Sequence, residues 1–182
     1  MIYGITGIFG SGKSTVAKLF KSYRIINADK IGHNLLDKKQ IKDKIIKKFS
    51  ISILTKNKID RKKLKNIVFY NHKELIKLNK IIHPYLIKEI KDQIKKQKKA
   101  VVDAALLIEL KLHKYVDKVI VVKINKEKAI KRVLNKKKYN KKEINNIFKS
   151  QLSQKEKLKY ADIVVDNSKS LANTKKQIGK IR

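Results

Sequence analysis

The sequence has no cysteine, no tryptophan, a single proline and six glycines, and its 15 acidic residues face 48 basic ones. Without cysteine there is no disulfide frame, no thiol nucleophile and no thiolate metal site, a composition compatible with a reducing compartment. No apolar run approaches the ~18–20 residues needed to cross a bilayer, so no membrane partner is expected. The opening "MIYGITG" lacks the basic and apolar segments of a secretion signal, and a cytoplasmic location is the expectation. Arginine is scarce as well, occurring only at Arg24, Arg61, Arg132 and Arg182. The formal charge of +33 is therefore almost all lysine, spread along the chain beside abundant isoleucine and asparagine. Groove readout of nucleic acid relies on arginine's planar fork. The lysine excess reads instead as a solvated surface that speeds the encounter with anionic substrates.

What is present is enough apolar residue, 42% of 182, to bury one ordinary core, which argues for a single domain with lobes. "MIYGIT", "RIINAD", "AVVD", "DKVIVVKI" and "ADIVVDN" read as short strands. Helical patterns separate them, the first over Lys13 to Lys21. Between the second and third strands lies a long lysine-rich helical insert, broken at "TKNKIDRKK" and at "HPYL". Asp60 is a candidate N-cap, and Pro84 fits the first turn of a helix running to about Lys98. Asn125, the pair Asn140 with Glu143 and the pair Ser153 with Glu156 have capping spacing. Apolar strands alternating with helices predict an α/β fold, a parallel sheet covered by helices on both faces. Ligands of such folds bind at the carboxyl edge of the sheet.

"GIFGSGKS" matches G-x-x-x-x-G-K-[ST] through Gly7, Gly12, Lys13 and Ser14. Rough residue frequencies make a chance match on the order of a few in 100,000 per starting position. The pattern has the strand before it and the helix after it that a phosphate cradle requires. Its backbone amides would surround an anion, Lys13 would reach the β- and γ-phosphates, and the Ser14 hydroxyl would ligate magnesium.

Asp29 falls at the predicted end of the second strand, 16 residues beyond Lys13. Spacing alone leaves two roles open, a base that takes a proton from an acceptor hydroxyl or an N-cap for the next helix. Asp103 ends the apolar "VVD", the pattern of a carboxylate that holds the magnesium shell directly or through water; a strand-end cap or lysine partner is the plainer reading. Arg132 precedes the basic "NKKKYNKKE" and is either a lid residue that closes over ATP or an exposed helix arginine. His83, before Pro84, is a ligand contact or a structural histidine at a helix start. No cluster has metal-cage spacing, so Mg2+ would arrive with the nucleotide.

Taken in order, "GITGIFGSGKSTVAKLF", "INADKIGHNLL", "IDRKKLKNIVF", "LNKIIHPYL", "VVDAALLIE", "VDKVIVV", "KRVLNK", "SQLSQKEKLKYAD" and "VVDNS" resemble the motifs of the dephospho-CoA kinase family over nearly the whole chain. The resemblance implies a three-layer P-loop kinase fold. Its core would cover about residues 1–29 and 99–182, with a helical substrate-binding lobe at about 30–98 and a small lid at about 132–145. It implies transfer of the ATP γ-phosphoryl to the ribose 3′-hydroxyl of dephospho-CoA, with Mg2+. Asp29 falls on the family's catalytic acid, Gly10, Ser11, Gly12, Lys13, Ser14 and Thr15 on its ATP loop, and Arg132 on its lid arginine. His83 falls on the lobe that receives dephospho-CoA. Asn27 stands where an aspartate is frequent, Ala105 replaces a usual proline, Lys136 stands where a second lid arginine is common, and the tail is shorter than in many members. Another nucleoside or nucleotide kinase on this scaffold is the nearer alternative, and a nucleic-acid-stimulated ATPase the more distant one.

Overall fold

The computed structural model describes residues 1–137 and 139–181; Lys138, within the expected lid segment, and Arg182 lie outside the described residues. In chain order the elements are β1 (Ile2–Thr6), α1 (Lys13–Ala17), β2 (Arg24–Asn27), α2 (Ala28–Leu35), α3 (Lys39–Phe49), β3 (Leu54–Thr55), β4 (Lys58–Ile59), α4 (Arg61–Phe69) and α5 (His72–Lys95). There follow β5 (Ala100–Asp103), β6 (Lys118–Lys123), α6 (Lys126–Leu134), α7 (Lys141–Lys149), α8 (Gln154–Leu158), β7 (Ile163–Asp166) and α9 (Leu171–Gly179). Two compact units divide them, Met1–Asn27 with Lys91–Arg182, and Ala28–Ile90.

The first unit holds a five-stranded sheet in the order β2-β5-β1-β6-β7, parallel at every pairing. Strands β1 and β5 are buried along their full length, as are the four central residues of β6. Such unbroken apolar runs are what a parallel strand needs when helices cover both faces. One cluster joins Tyr3, Ile5, Val101, Ile120 and Val165 of the strands to Val16, Ala17, Phe20 and Ile178. The rings of Tyr3, Phe20 and Tyr23 meet there at centroid distances of 5.2–5.6 Å. From β1 the chain moves two places outward to β2, whereas from β5 it crosses β1 in the opposite direction to reach β6. Open α/β sheets bind their ligands at such a reversal, here at the carboxyl ends of β1 and β5.

In the second unit, α3 buries Ile41, Ile45 and Phe49, one residue per turn. Strands β3 and β4 form a hairpin through Lys56 and Asn57, both at positive φ (48° and 58°), as a two-residue turn matched to strand twist requires. Asp60 caps α4 by accepting from the amides of Lys62 (2.8 Å) and Lys63 (3.2 Å); the Lys63 amide, the Thr55 hydroxyl (2.9 Å) and the Lys62 amide together hold its carboxyl below the ordinary aspartate range. The other predicted caps form as well: Asn125 caps α6, and the Asn140–Glu143 and Ser153–Glu156 pairs close full capping boxes.

Three boundaries differ from the sequence expectation. Helix α1 stops at Ala17 because the amides of Leu19 and Phe20 turn back three residues, to Val16 and Ala17, which brings Phe20 into the core. Strand β2 ends at Asn27, so Asp29 sits in the first turn of α2 rather than at a strand end. Pro84 lies inside α5 and not at a helix start, and "HPYL" breaks nothing. Proline there removes the bond to the Lys80 carbonyl, a local loss of about 3 kcal/mol. Buried Leu78, Leu86 and Ile90 on either side keep the helix continuous, and its N-cap is Asn71, which accepts from the Lys73 and Glu74 amides.

Candidate active site

The loop after β1 is shaped by two glycines. Gly10 (φ 79°) and Gly12 (φ 88°) occupy the left-handed region, and each also admits a close neighbour. A Cβ on Gly10 would come within 2.7 Å of the Ala129 carbonyl oxygen of α6, and one on Gly12 would collide with the Asn167 side-chain nitrogen. The Ser11 amide donates to the Ile8 carbonyl (3.1 Å), and the Lys13 ammonium arches back to that same oxygen (3.2 Å). Lys13, Ser14 and Thr15 form the first turn of α1.

Asp103 ends β5 beside this loop and is 4% exposed. Its Oδ2 accepts from the Ser14 hydroxyl at 2.6 Å and from the Asn27 side-chain amide at 3.0 Å. The register explains the second contact, because Asn27 of β2 lies directly opposite Asp103. Residue 27 is thus a donor to the buried carboxylate. Asn27→Asp would set a second carboxylate against Asp103 and is expected to cost about 1–3 kcal/mol at neutral pH. Two adjacent carboxyls share a proton with a raised folded pKa, so their stabilising proton is held in acid and lost as pH rises through that value. Denaturant unfolding at pH 5 and pH 8 should find the loss smaller at pH 5; an equal loss at both would mean the two groups do not couple.

Arg132 projects from α6 to the same place. Its Nη2 donates to the Asn167 carbonyl at 3.0 Å, and its Nη1 lies 3.8 Å from where a Gly12 Cβ would be. The arginine is partly buried against the loop, which sets aside its reading as an exposed helix residue. Lys136 is exposed in the turn after α6. The first unit thereby brings together Gly10 to Thr15, Asp103 and Arg132.

Glu109, Lys157 and Asn167 stand within the family-like segments "VVDAALLIE", "SQLSQKEKLKYAD" and "VVDNS", but nothing in the sequence assigns them, or Thr174, a structural role. Lys157 is completely buried, although it lies among the lysines of a solvated surface composition. Its ammonium donates to the Ala105 carbonyl (2.8 Å) and to Glu109 Oε1 (2.6 Å), and that carboxylate oxygen also accepts from the Leu152 amide (3.0 Å). Burial pulls the lysine below its ordinary pKa, against the opposing pull of Glu109. The Thr6 hydroxyl donates to the Ala105 carbonyl as well (3.1 Å). Two donors on one carbonyl pin the backbone directly after Asp103, a constraint that needs no proline at position 105. The sequence signal for Lys157 is its place in the family-like segment "SQLSQKEKLKYAD", which does not say that the side chain is buried.

Asp29 and His83 belong to the second unit. Asp29 is exposed in the first turn of α2, where the positive end of the helix favours a carboxylate. It is therefore not a cap residue preceding the helix. His83 is half-buried within α5, and burial lowers its imidazole pKa, keeping the ring neutral at neutral pH. The unfolded chain takes up this proton at a higher pH than the folded one, so acidification below about 6.5 draws stability away. Among the described residues no group of three or more His, Cys, Asp or Glu side chains is arranged to hold a metal, and no helix is long and apolar enough to cross a membrane.

Known proteins resemble the chain along nearly its full length. The family model described as dephospho-CoA kinase matches residues 1–173. The dephospho-CoA kinase of Fusobacterium nucleatum is 42% identical, over 98% of this chain and 95% of its own length. That of Carboxydothermus hydrogenoformans is 38% identical over 97% and 90%. The solved structure of dephospho-CoA kinase from Campylobacter jejuni superposes with a TM-score of 0.72 at 32% identity, covering 99% of this chain and 94% of that one. With the family model matched over residues 1–173 and relatives up to 42% identical along nearly their whole length, the chain belongs to the dephospho-CoA kinase family.

Proposed function

We propose that the chain transfers the γ-phosphoryl of ATP to the 3′-hydroxyl of dephospho-CoA, giving CoA and ADP, with the residue roles that follow. The observation that carries this reading is the convergence of Lys13, the Ser14–Asp103 pair and Arg132 on one glycine loop. Gly10 to Thr15 hold the phosphates of ATP, the Lys13 ammonium draws charge from the β- and γ-phosphates, and Arg132 meets charge developing on the transferred group. The acceptor oxygen bonds to γ-phosphorus as the bond to the β–γ bridging oxygen breaks. Asp29 takes the proton that the hydroxyl gives up, and ADP leaves with the bridging oxygen.

A hydroxyl and a carboxylate oxygen 2.6 Å apart form a hard donor set suited to an ion that keeps several waters and takes its other ligands from phosphate. Ser14, with Asp103 directly or through water, would hold Mg2+ on this reading, and the ion would supply charge neutralisation on the phosphates. The reaction belongs in the cytoplasm on this reading, with ATP and dephospho-CoA as the partners and nucleic acid having no part. The part of the chain from about residue 30 to 98 serves as the acceptor lobe and about 132–145 as the lid.

An acceptor panel tests the reading. Purified protein with Mg-ATP should release ADP in step with CoA when given dephospho-CoA, and far more slowly with nucleosides, nucleotides or RNA. No ADP above background with dephospho-CoA would refute it, and preference for another hydroxyl would reassign the acceptor. His83, in the acceptor lobe, should affect that substrate selectively. His83→Gln is expected to raise KM for dephospho-CoA about fivefold, near the worth of one hydrogen bond, with KM for ATP unchanged. Equal change in both constants would place His83 in packing alone.

A further inference from the structure

Asn167 follows β7 and engages each of its polar groups with a different part of the first unit. Its amide donates to the Lys123 carbonyl at the end of β6 (2.9 Å). Its carbonyl accepts from Arg132 Nη2 (3.0 Å). Its side-chain Nδ2 donates to the Ser11 carbonyl in the glycine loop (2.7 Å), and its Oδ1 accepts from the Thr174 hydroxyl of α9 (2.9 Å). Thr174 is fully buried and Asn167 is 6% exposed. The amide orientation is not arbitrary. The Ser11 carbonyl can only accept, so nitrogen must face it, and oxygen must then face Thr174, whose hydroxyl is able to donate.

We infer that Asn167 is a positioning residue that sets the glycine loop and Arg132 at a fixed separation, with Thr174 locking its amide from behind. This rests on the proposed roles of the loop and Arg132. A neutral side chain that only filled space here would not need a donor on one side and an acceptor on the other. The side-chain half of the link holds the loop through Ser11, and the backbone half holds the guanidinium. The polar atoms of one residue thus tie together the group that grips the phosphates and the group that answers charge in the transition state. Gly12 completes the case, because any side chain there would collide with the Asn167 amide.

Aspartate matches asparagine in shape but turns an oxygen toward the Ser11 carbonyl. Asn167→Asp is expected to lower kcat/KM for ATP about 100-fold, the scale of a displacement near 1 Å in a reacting site. KM for dephospho-CoA should stay within about twofold. Thr174→Val should lower kcat/KM for ATP about fivefold, the worth of one neutral hydrogen bond, and Thr174→Ser should restore it. Against an Arg132→Ala background, Asn167→Asp should cost clearly less than it does alone, because part of its effect passes through the arginine. Enzyme concentrations are normalised to the folded fraction, so simple destabilisation moves none of these ratios.

ADP affinity by calorimetry, which needs no acceptor and no turnover, should weaken in Asn167→Asp. It separates the two readings: failure of dephospho-CoA turnover with weakened ADP binding would overturn only the acceptor. A folded Asn167→Asp variant with unchanged ADP affinity and unchanged kcat/KM for ATP would overturn the positioning role. So would additive losses with Arg132→Ala, or a Thr174→Ser variant no better than Thr174→Val.

Discussion

Asp29→Asn is expected to lower kcat by about 10²–10⁴-fold while leaving ADP affinity within about twofold, the signature of a lost general base. Asparagine keeps the size and one oxygen of the carboxylate but cannot take a proton. Asp29 is exposed in the first turn of α2, so the substitution removes no buried contact and the fold should be unaffected. The groups proposed to hold the nucleotide are elsewhere in the chain, at Gly10 to Thr15 and Arg132, and a base acting on the acceptor should not alter how they hold ADP. Rapid-quench measurement of one turnover, with parallel calorimetry for ADP, distinguishes the outcomes. Equal loss of rate and nucleotide affinity would make Asp29 a structural residue and remove the proposed base.

The second large effect is on stability. Glu109→Leu leaves the fully buried Lys157 ammonium with the Ala105 carbonyl but without the carboxylate it pairs with, and should cost about 3–5 kcal/mol. The Leu152 amide loses its acceptor in the same step. Burial already depresses the Lys157 pKa, and removal of Glu109 depresses it further. Between that lowered folded value and the ordinary lysine value near 10.5, the unfolded chain binds more protons than the folded one, so stability rises with pH across this window. The variant should therefore regain stability as pH is raised, more steeply than the parent. Combining Lys157→Met with Glu109→Leu should recover most of the loss, because two apolar side chains replace a matched pair. Urea unfolding at pH 7 and pH 9.5 reads both effects. A double variant as unstable as Glu109→Leu alone would show that the pair is not coupled.

The strands, the glycine loop, the caps at Asp60, Asn125, Asn140 and Ser153, and Asp103 as the carboxylate that ends its strand are legible in the sequence. Each depends on residues a few positions apart or on a pattern whose geometry is stereotyped. The caps are local hydrogen bonds closed over two or three residues, and the loop needs φ values that glycine supplies. Pro84 misleads for a related reason: a proline rule weighs one missing bond, whereas α5 is held by buried residues on either side of it. Asp29 lies inside the first turn of its helix and not at a strand end, because the end of β2 is set by its pairing with β5 and not by its own composition.

Lys157 and Asn167 lie in family-like segments, but their burial and contacts are hidden for a different reason. A lysine in a chain with so many carries no compositional signal, and its burial follows from Glu109, 48 positions away. Asn167 meets Ser11 across 156 positions, and asparagine is abundant here as well. Local periodicity and turn chemistry determined which segments become strands and helices and the shape of the glycine loop proposed to hold phosphate. Strand order, the donor that Asn27 offers to Asp103, the buried Lys157–Glu109 pair and the tie between loop and arginine were decided only by tertiary structure. Each of these depends on what a side chain meets once distant segments are packed side by side.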